Sequence, residues 1–391
     1  GDEQEGVTQY QWSQCLGDDH CADDGERAGT HGAGGLNHTG INGDEVLFHD
    51  AGHILGAASL EVWVSQEGVR RKIAFSGDLG TPGRPILRDP TFIDSADFVV
   101  TESTYGNRAH PPEEEVQRKL TEAITRTVRA GGHIIVPAFA VGRTQDLLYR
   151  LDRLLEAGRI PKVPVFVDSP LASQATKVFE RHHECYDADS LRMLASGDNP
   201  IRFPSLRFTA SVAESQALNE LKSPAIIISA SGMCNAGRVR HHLHHHIEHG
   251  NDTVLFVGYQ AMGTRGAAML AGAPAVQMFG EYVPVKAEIV NLTTLSSHAD
   301  YQEMLGWLKG FARAPQMTYV THGEPVAADI GDLDHGDDLA EQHEGDFRAG
   351  VAFRPCFDAL GTDDEFLIDR LGGFADGHLL GGEKLLALPE F

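Results

Sequence analysis

The sequence has no apolar run approaching the roughly eighteen residues that a membrane-spanning helix needs, and its first residues, GDEQEGVTQYQW, carry neither the basic nor the apolar region of a secretory signal. The expected address is the cytoplasm, with no membrane partner. Cysteine is scarce: Cys15, Cys21, Cys185, Cys234 and Cys356 are odd in number and show no CxxC spacing, which argues against a disulfide framework and fits reduced thiols. Basic charge is also short. Lys and Arg number 32 against 56 Asp and Glu, a net charge of -24. The overall field therefore repels nucleic acid unless basic residues gather in one groove. Adaptation to high salt also produces such a surface, and there screening confines the repulsion to short range, so the charge weakens a nucleic-acid function without excluding it.

The 391 residues, 41% of them hydrophobic, suffice for one large or two ordinary domains. From about residue 70, short apolar runs alternate with helical patterns, the signature of α/β layers around a largely parallel sheet. Strands are expected at 72–76, 97–101, 133–137, 163–167, 225–229 and 253–258. Pro111 and Pro112 followed by Glu113, Glu114 and Glu115 open a helix whose buried stripe is Val116, Leu120, Ile124 and Val128, ended by Gly131 and Gly132. Leu147, Leu148, Leu151, Leu154 and Leu155 mark a second helix, stopped at Gly158. Residues 109–276 thus read as an α/β unit of their own. Residues 17–44 are rich in Gly, Asp and His without periodicity, and 329–346 is dense in acids with no Lys or Arg; both read as loop or weakly ordered.

Chemistry-bearing residues stand at strand ends, where a rigid sheet can hold ligands in fixed geometry. His53 lies in AGHILGAAS, Asp78 ends KIAFSGDLG, His298 lies in LSSHADY, and His322 ends MTYVTHGE. Imidazole and carboxylate suit Zn²⁺, which in catalytic sites takes about three protein ligands and an open position for water. A single His or Asp so placed is more often structural. The run His241, His242, His244, His245, His246 has pairs at i,i+4 but no general-base Glu, and reads mainly as the partly exposed face of a helix.

The surrounding words change that balance. AGHILGAAS, FSGDLG, ESTYG, PAFAVGRTQ, VDSPLA, SASGMCNAGR, GYQAMGTRG, SSHADY and VTHGE follow one another in an order that resembles the β-CASP nucleases of the metallo-β-lactamase superfamily, over roughly residues 45–325. The resemblance implies an α/β protein: an αββα metallo-β-lactamase sandwich, N-terminally incomplete, with an inserted α/β β-CASP cap and the active site in the cleft between them. It divides the chain into a first part of the sandwich (1–108), the cap (109–276), the returning part (277–328) and an acidic tail (329–391). It makes His53, Asp78 and His322 ligands of two zinc ions, with Asp78 bridging, around a hydroxide that attacks phosphorus. Glu102, in ESTYG, and His298 match the family's acidic residue and its partner histidine, a carboxylate-oriented general acid that protonates the departing ribose oxygen to leave a 5′-phosphate and a 3′-hydroxyl. A histidine at 322 resembles the RNA-directed branch, so single-stranded RNA is the expected partner, and the family suggests a homodimer.

Substrate contacts are expected from the Gly-rich loop carrying Ser231, Gly232, Gly237 and Arg238, where backbone N–H groups and a guanidinium could cradle a phosphate, and from Arg143 of AVGRTQ. The bland alternatives are an ordinary strand-to-helix turn and helix capping. One family element is missing. No HxHxDH string occurs, and the nearest register, residues 15–20, keeps only Asp19 and His20, too close to His53 to be more than coincidence. Without it the remaining groups give each metal about two protein ligands. The expectations are then truncation, a non-catalytic relative, or a substitute site among the early histidines. A truncated sandwich should expose apolar surface and be poorly stable.

Overall fold

A computed structural model of the chain describes residues 37–39, 45–66, 68–292, 295–323, 327 and 353–355. Asp19, His20, the acidic stretch 329–346 and Cys15, Cys21 and Cys356 lie outside the described residues. Two large sheets organise the rest.

The first sheet comprises β1 (Asn37–Thr39), β2 (Glu45–Asp50), β3 (Ala58–Gln66), β4 (Val69–Phe75), β5 (Phe98–Glu102), β14 (Met317–Thr321) and β15 (Phe353–Pro355), in the order β1-β2-β3-β4-β5-β14-β15. β1 to β4 form an antiparallel meander, and β4, β5, β14 and β15 run parallel. β1 falls in the stretch 17–44 that reads as loop or weakly ordered, and β15 lies in the tail beyond the acidic stretch 329–346. Three-residue strands hold too little alternation to register in a sequence; the ladders of β2 and β14 make them strands.

Alternation along β4 and β5 sorts side chains to opposite faces. Ala74 and Val99 meet Met304, Trp307 and Leu308 of a helix (α8, Tyr301–Leu308) that opens with a capping box between Asp300 and Glu303. Ile73 faces the other way with Val62, Val64 and Tyr319, where Val46, Leu60, Phe75, Phe98 and Val100 are only partly buried. Among the described residues this is one sheet and one helix layer of the αββα sandwich.

The second sheet is wholly parallel, in the order β13-β10-β6-β9-β7-β8. Its strands are β6 (Ile134–Pro137), β7 (Val165–Val167), β8 (Leu206–Phe208), β9 (Ile226–Ser229), β10 (Thr253–Phe256) and β13 (Glu288–Asn291). IIVP, IIIS and TVLF are buried at every residue because helices cover both faces. One face receives α1 (Glu113–Arg129), α2 (Arg143–Glu156) and α3 (Pro170–Phe179), through Leu120, Ile124, Leu147, Leu151 and Val178 among others. The other receives α6 (Val239–His246) and α7 (Arg265–Leu270), through Val239, Leu243 and Met269. Two short helices, α4 (Ala188–Ala195) and α5 (Val212–Leu218), sit in the connections, and β11 (Ala275–Met278) and β12 (Glu281–Pro284) form a separate hairpin.

β13 lies beyond the expected boundary at 276. Its residues fall in the segment expected to have returned to the first sheet, yet they pair one for one with β10, from Thr253 opposite Glu288 to Phe256 opposite Asn291. EIVN is an edge strand with no buried residue, so its apolar signal is weak.

Candidate active site

Parallel strands bring their carboxyl ends to one edge, and the loops leaving that edge are where open α/β sheets place ligands. β4, β5 and β14 are such neighbours, with Phe75 opposite Val100 and Thr321 opposite Glu102. Asp78 therefore follows β4, Glu102 ends β5 and His322 follows β14 at the same edge. His53 comes from the turn between β2 and β3, whose open ends Asp50 and Ala58 face each other beside them. His298 arrives from the far side of the sequence and is tied in by an antiparallel bridge to Gly80. Gly80 must be glycine, since a Cβ there would lie 2.1 Å from the Gly52 carbonyl oxygen.

Single donor atoms of Asp78, Glu102, His298 and His322 all lie within 4.8 Å of one another. Glu102 is the buried floor, its side chain 1% exposed, whereas Asp78 at 41% and His322 at 56% face outward. The Leu79 N–H donates to Glu102 Oε1 at 2.5 Å, the Thr104 hydroxyl to Oε2 at 2.6 Å, and His298 Nδ1 sits 2.8 Å from Oε2. Burial alone would raise the Glu102 carboxyl, but the bonds from His298, His322 and Thr104 outweigh it and hold it down to about 2. An ionised acceptor fixes the proton on His298 Nδ1 and leaves Nε2 as the nitrogen that can exchange a proton.

His322 Nδ1 lies 3.2 Å from Asp78 Oδ1 and 3.1 Å from the oxygen of the Thr104 hydroxyl, whose proton goes to Glu102. His322 adopts φ 51°, a left-handed conformation uncommon outside glycine, with its carbonyl 2.9 Å from Thr104 Oγ1. His53 Nε2 is 4.0 Å from Asp78 Oδ2, with its ring 4.2 Å from that of His298. Burial, aided by repulsion from His298, pushes His53 down to about 3, so it is a neutral imidazole.

The expected substrate residues are placed differently. Arg143 is buried, its Nη1 donating to Asp146 Oδ2 at 2.6 Å and its Nη2 to Ser297 Oγ at 3.3 Å. Arg84 and Arg150 converge on the same carboxylate. Arg238 donates to the buried Asp168 Oδ1 at 2.8 Å and to the Ala210 carbonyl at 3.2 Å. Both guanidiniums thus have carboxylate partners within the fold. Gly232 is buried against Phe139, whose ring a Cβ would meet at 2.8 Å, and Gly237 takes φ 73° where a Cβ would meet the Ala230 oxygen at 2.3 Å. Ser231, just before Gly232, is partly exposed, with its Oγ 3.4 Å from the Ala236 carbonyl oxygen.

Sequence reasoning passed over Thr104 and His110. Thr104 sits inside ESTYG, bridging Glu102 and His322; His110 Nε2 approaches the His298 carbonyl at 2.8 Å. Their roles depend on loop shape, which no local pattern reports. The histidine run does not pair at i,i+4. His242 meets Asp168, His246 meets Asp252, and His241 and His244 flank Phe279.

Known families match this arrangement in two places: the Beta-Casp domain over residues 144–269, and the Zn-dependent metallo-hydrolase RNA specificity domain over residues 282–330. The chain belongs to the β-CASP family of the metallo-β-lactamase superfamily. A ribonuclease of Thermus thermophilus, TTHA0252, is 36% identical over 71% of this chain and 62% of its own length. The RNase J-like protein of Methanocaldococcus jannaschii is 33% identical over 71% of this chain and 63% of its own. The transcription termination factor FttA of Pyrococcus horikoshii is 31% identical over 72% and 44% respectively. The chain therefore spans less than two thirds of the length of these relatives. Among the described residues no helix is long and apolar enough to cross a membrane.

Proposed function

We propose that this β-CASP chain hydrolyses phosphodiester bonds of single-stranded RNA with zinc, using His298 as general acid positioned by Glu102. The observation that carries the reading is the 2.8 Å contact between His298 Nδ1 and a carboxylate held ionised on the floor of a cluster that also contains Asp78 and His322. A neutral buried imidazole at His53, the outward carboxylate of Asp78 and the imidazole of His322 are the donor types zinc takes, and these three would hold it. Bound there, zinc would supply an activated water and neutralise charge developing on phosphate. Glu102 keeps the proton on Nδ1 of His298 and stabilises the imidazolium, so that Nε2 delivers its proton to the departing ribose oxygen. Thr104 holds His322 and Glu102 in register.

The test is cleavage of matched RNA and DNA oligonucleotides in the presence of zinc. RNA cleavage that His298→Ala abolishes while bound zinc is retained is the expected result. Loss of zinc in that variant would make His298 a ligand, and equal or faster cutting of DNA would overturn the choice of RNA. The lack of an HxHxDH string favours one second reading, a non-catalytic RNA-binding scaffold, because His53, Asp78 and His322 alone are few donors for two ions. Fewer than about one tightly held zinc per chain would decide for it.

A further inference from the structure

Arg238 is neutralised by the buried Asp168, but Arg240, two residues on, is not. Among the described residues no carboxylate comes within ion-pair distance of Arg240, and its Nε is shut off from solvent with no hydrogen-bond partner. Its guanidinium lies instead 4.4 Å from the centre of the Phe279 ring. Arg265, at the start of α7, is likewise without a carboxylate among the described residues. Its Nε donates to the Gln277 carbonyl at 2.6 Å and its Nη1 to the carbonyls of Asn235 at 3.1 Å and Cys234 at 3.3 Å. Two guanidiniums thus keep their charge beside the tip of the β11–β12 hairpin. Glu281, the acid of that hairpin, is turned to His244 Nε2 at 2.6 Å.

The tip suits its residue poorly. Met278 pairs with Glu281, so Phe279 and Gly280 are the two turn residues, and both take positive φ, 50° and 91°. Asn-Gly is the pair that such a turn favours, and a bulky ring in the first position is an outlier. Burial does not compensate, since Phe279 is 47% exposed, with the His241 ring 4.7 Å away. A ring kept in solvent beside a guanidinium has a different use: single-stranded nucleic acid is held by π-faces for its bases next to positive charge for its phosphates. Tyr282, 74% exposed and opposite Gln277 in the hairpin ladder, adds a second ring near Arg265.

The place agrees. α6 follows the Gly-rich loop after β9, and α7 follows the loop after β10, so both start at the carboxyl edge of the cap sheet. At that edge Gly142 packs against Ile54, next to His53. The hairpin therefore borders the cleft without lining it. We propose that Arg240, Arg265, Phe279 and Tyr282 form an accessory surface that holds single-stranded RNA outside the cleft, the guanidiniums on phosphates and the rings under bases. It supplies local positive charge where a chain of net charge -24 otherwise repels the strand. Such a surface presupposes the RNA substrate proposed above, though not that this chain cuts it.

Phe279→Asn separates this role from a structural one, because asparagine suits the turn. Binding of a labelled single-stranded RNA of about 16 nucleotides is followed by fluorescence anisotropy from about 50 to about 200 mM salt for the parent, Phe279→Asn and Arg240→Gln. Thermal unfolding and cleavage of the same RNA are measured alongside. Phe279→Asn should bind at least about fivefold more weakly, as loss of one stacked base does, while unfolding no earlier than the parent. Arg240→Gln should weaken binding and reduce the slope of log affinity against log salt by about 0.7, one phosphate contact on a single strand. Parental binding by Phe279→Asn, or an unchanged slope in Arg240→Gln, would overturn the proposal. Earlier unfolding of Phe279→Asn would do so by making the ring a structural clamp, and ready displacement of the RNA by polyglutamate by marking a surface for acidic protein. RNA cleavage by a parent whose binding ignores both substitutions sinks this surface and spares the ribonuclease reading. Binding that depends on them without cleavage does the reverse, and a parent that binds no RNA loses both.

Discussion

Replacing Asp168 with Asn tests the electrostatic hub behind the Gly-rich loop. The carboxylate is wholly buried after β7 and accepts from Ser215 Oγ at 2.6 Å, from Arg238 Nη1 at 2.8 Å and from the Thr209 hydroxyl, with His242 Nε2 at 2.6 Å. Asparagine keeps the volume but removes the charge and turns one acceptor oxygen into an N–H₂ facing donors. His242 is itself fully buried and has nowhere else to direct that nitrogen. Removing one partner of a buried ion pair costs about 3–5 kcal/mol. At about 2–4 °C per kcal/mol for a unit of roughly 150–250 residues, the midpoint should fall by about 6–20 °C.

The same group sets an acid limb. Burial would raise the Asp168 carboxyl, but the bonds from His242, Ser215, Thr209 and Arg238 prevail and hold it below its ordinary value. A carboxyl depressed in the fold contributes its stability in full above the unfolded value of about 3.9 and loses it as pH falls toward the folded value. Circular dichroism melts between pH 7 and 2 should therefore show a steeper acid loss in the parent than in Asp168→Asn. A variant midpoint within about 2 °C of the parent at pH 7, or an identical acid limb, would refute the reasoning.

Two further substitutions address the candidate active site. Gly80→Ala drives a methyl into the Gly52 carbonyl at 2.1 Å and should cost at least about 1–3 kcal/mol in urea unfolding, as overpacking does; an unchanged midpoint would mean that the His53 and Asp78 loops are not locked together there. Glu102→Gln keeps the shape but deprives His298 of its anionic partner, so RNA cleavage should slow by about 10²–10⁴-fold with zinc content unchanged, and near-parental single-turnover rates would remove Glu102 from the chemistry.

Asp78 and His322 were legible because each follows an apolar strand, and the register of parallel neighbours then brings them to one edge, where Glu102, singled out only by the family words, also stands. His298 was legible as a candidate, but its pairing with Glu102 only through the ordered family words, since nothing local says that a residue between β13 and α8 returns to Glu102. Arg143 and Arg238 are expected phosphate contacts because a guanidinium beside glycines is a phosphate-binding pattern, and their partners inside the fold were not legible. Their acceptors, Asp146 and Asp168, lie one turn on in the same helix and in a distant loop, and sequence does not rank a buried carboxylate above a ligand. The edge strand β13 escaped for a simpler reason, having no buried residue to betray it.

The histidine run shows how topology divides what a sequence presents as one object. His242 and His246 are one helical turn apart on the buried face of α6, so periodicity makes them a pair. α6 connects β9 to β10, running from the carboxyl edge of the sheet back to its amino edge as a parallel crossover requires. His242, near the start, therefore meets Asp168, which follows a strand; His246, at the end, meets Asp252, which precedes one. The first contact braces the loop beside the cleft. The second ties α6 to the turn before β10 at the opposite edge, so substitutions four residues apart should separate: in a double-mutant cycle with Asp168→Asn, His242→Ala should couple and His246→Ala should add independently.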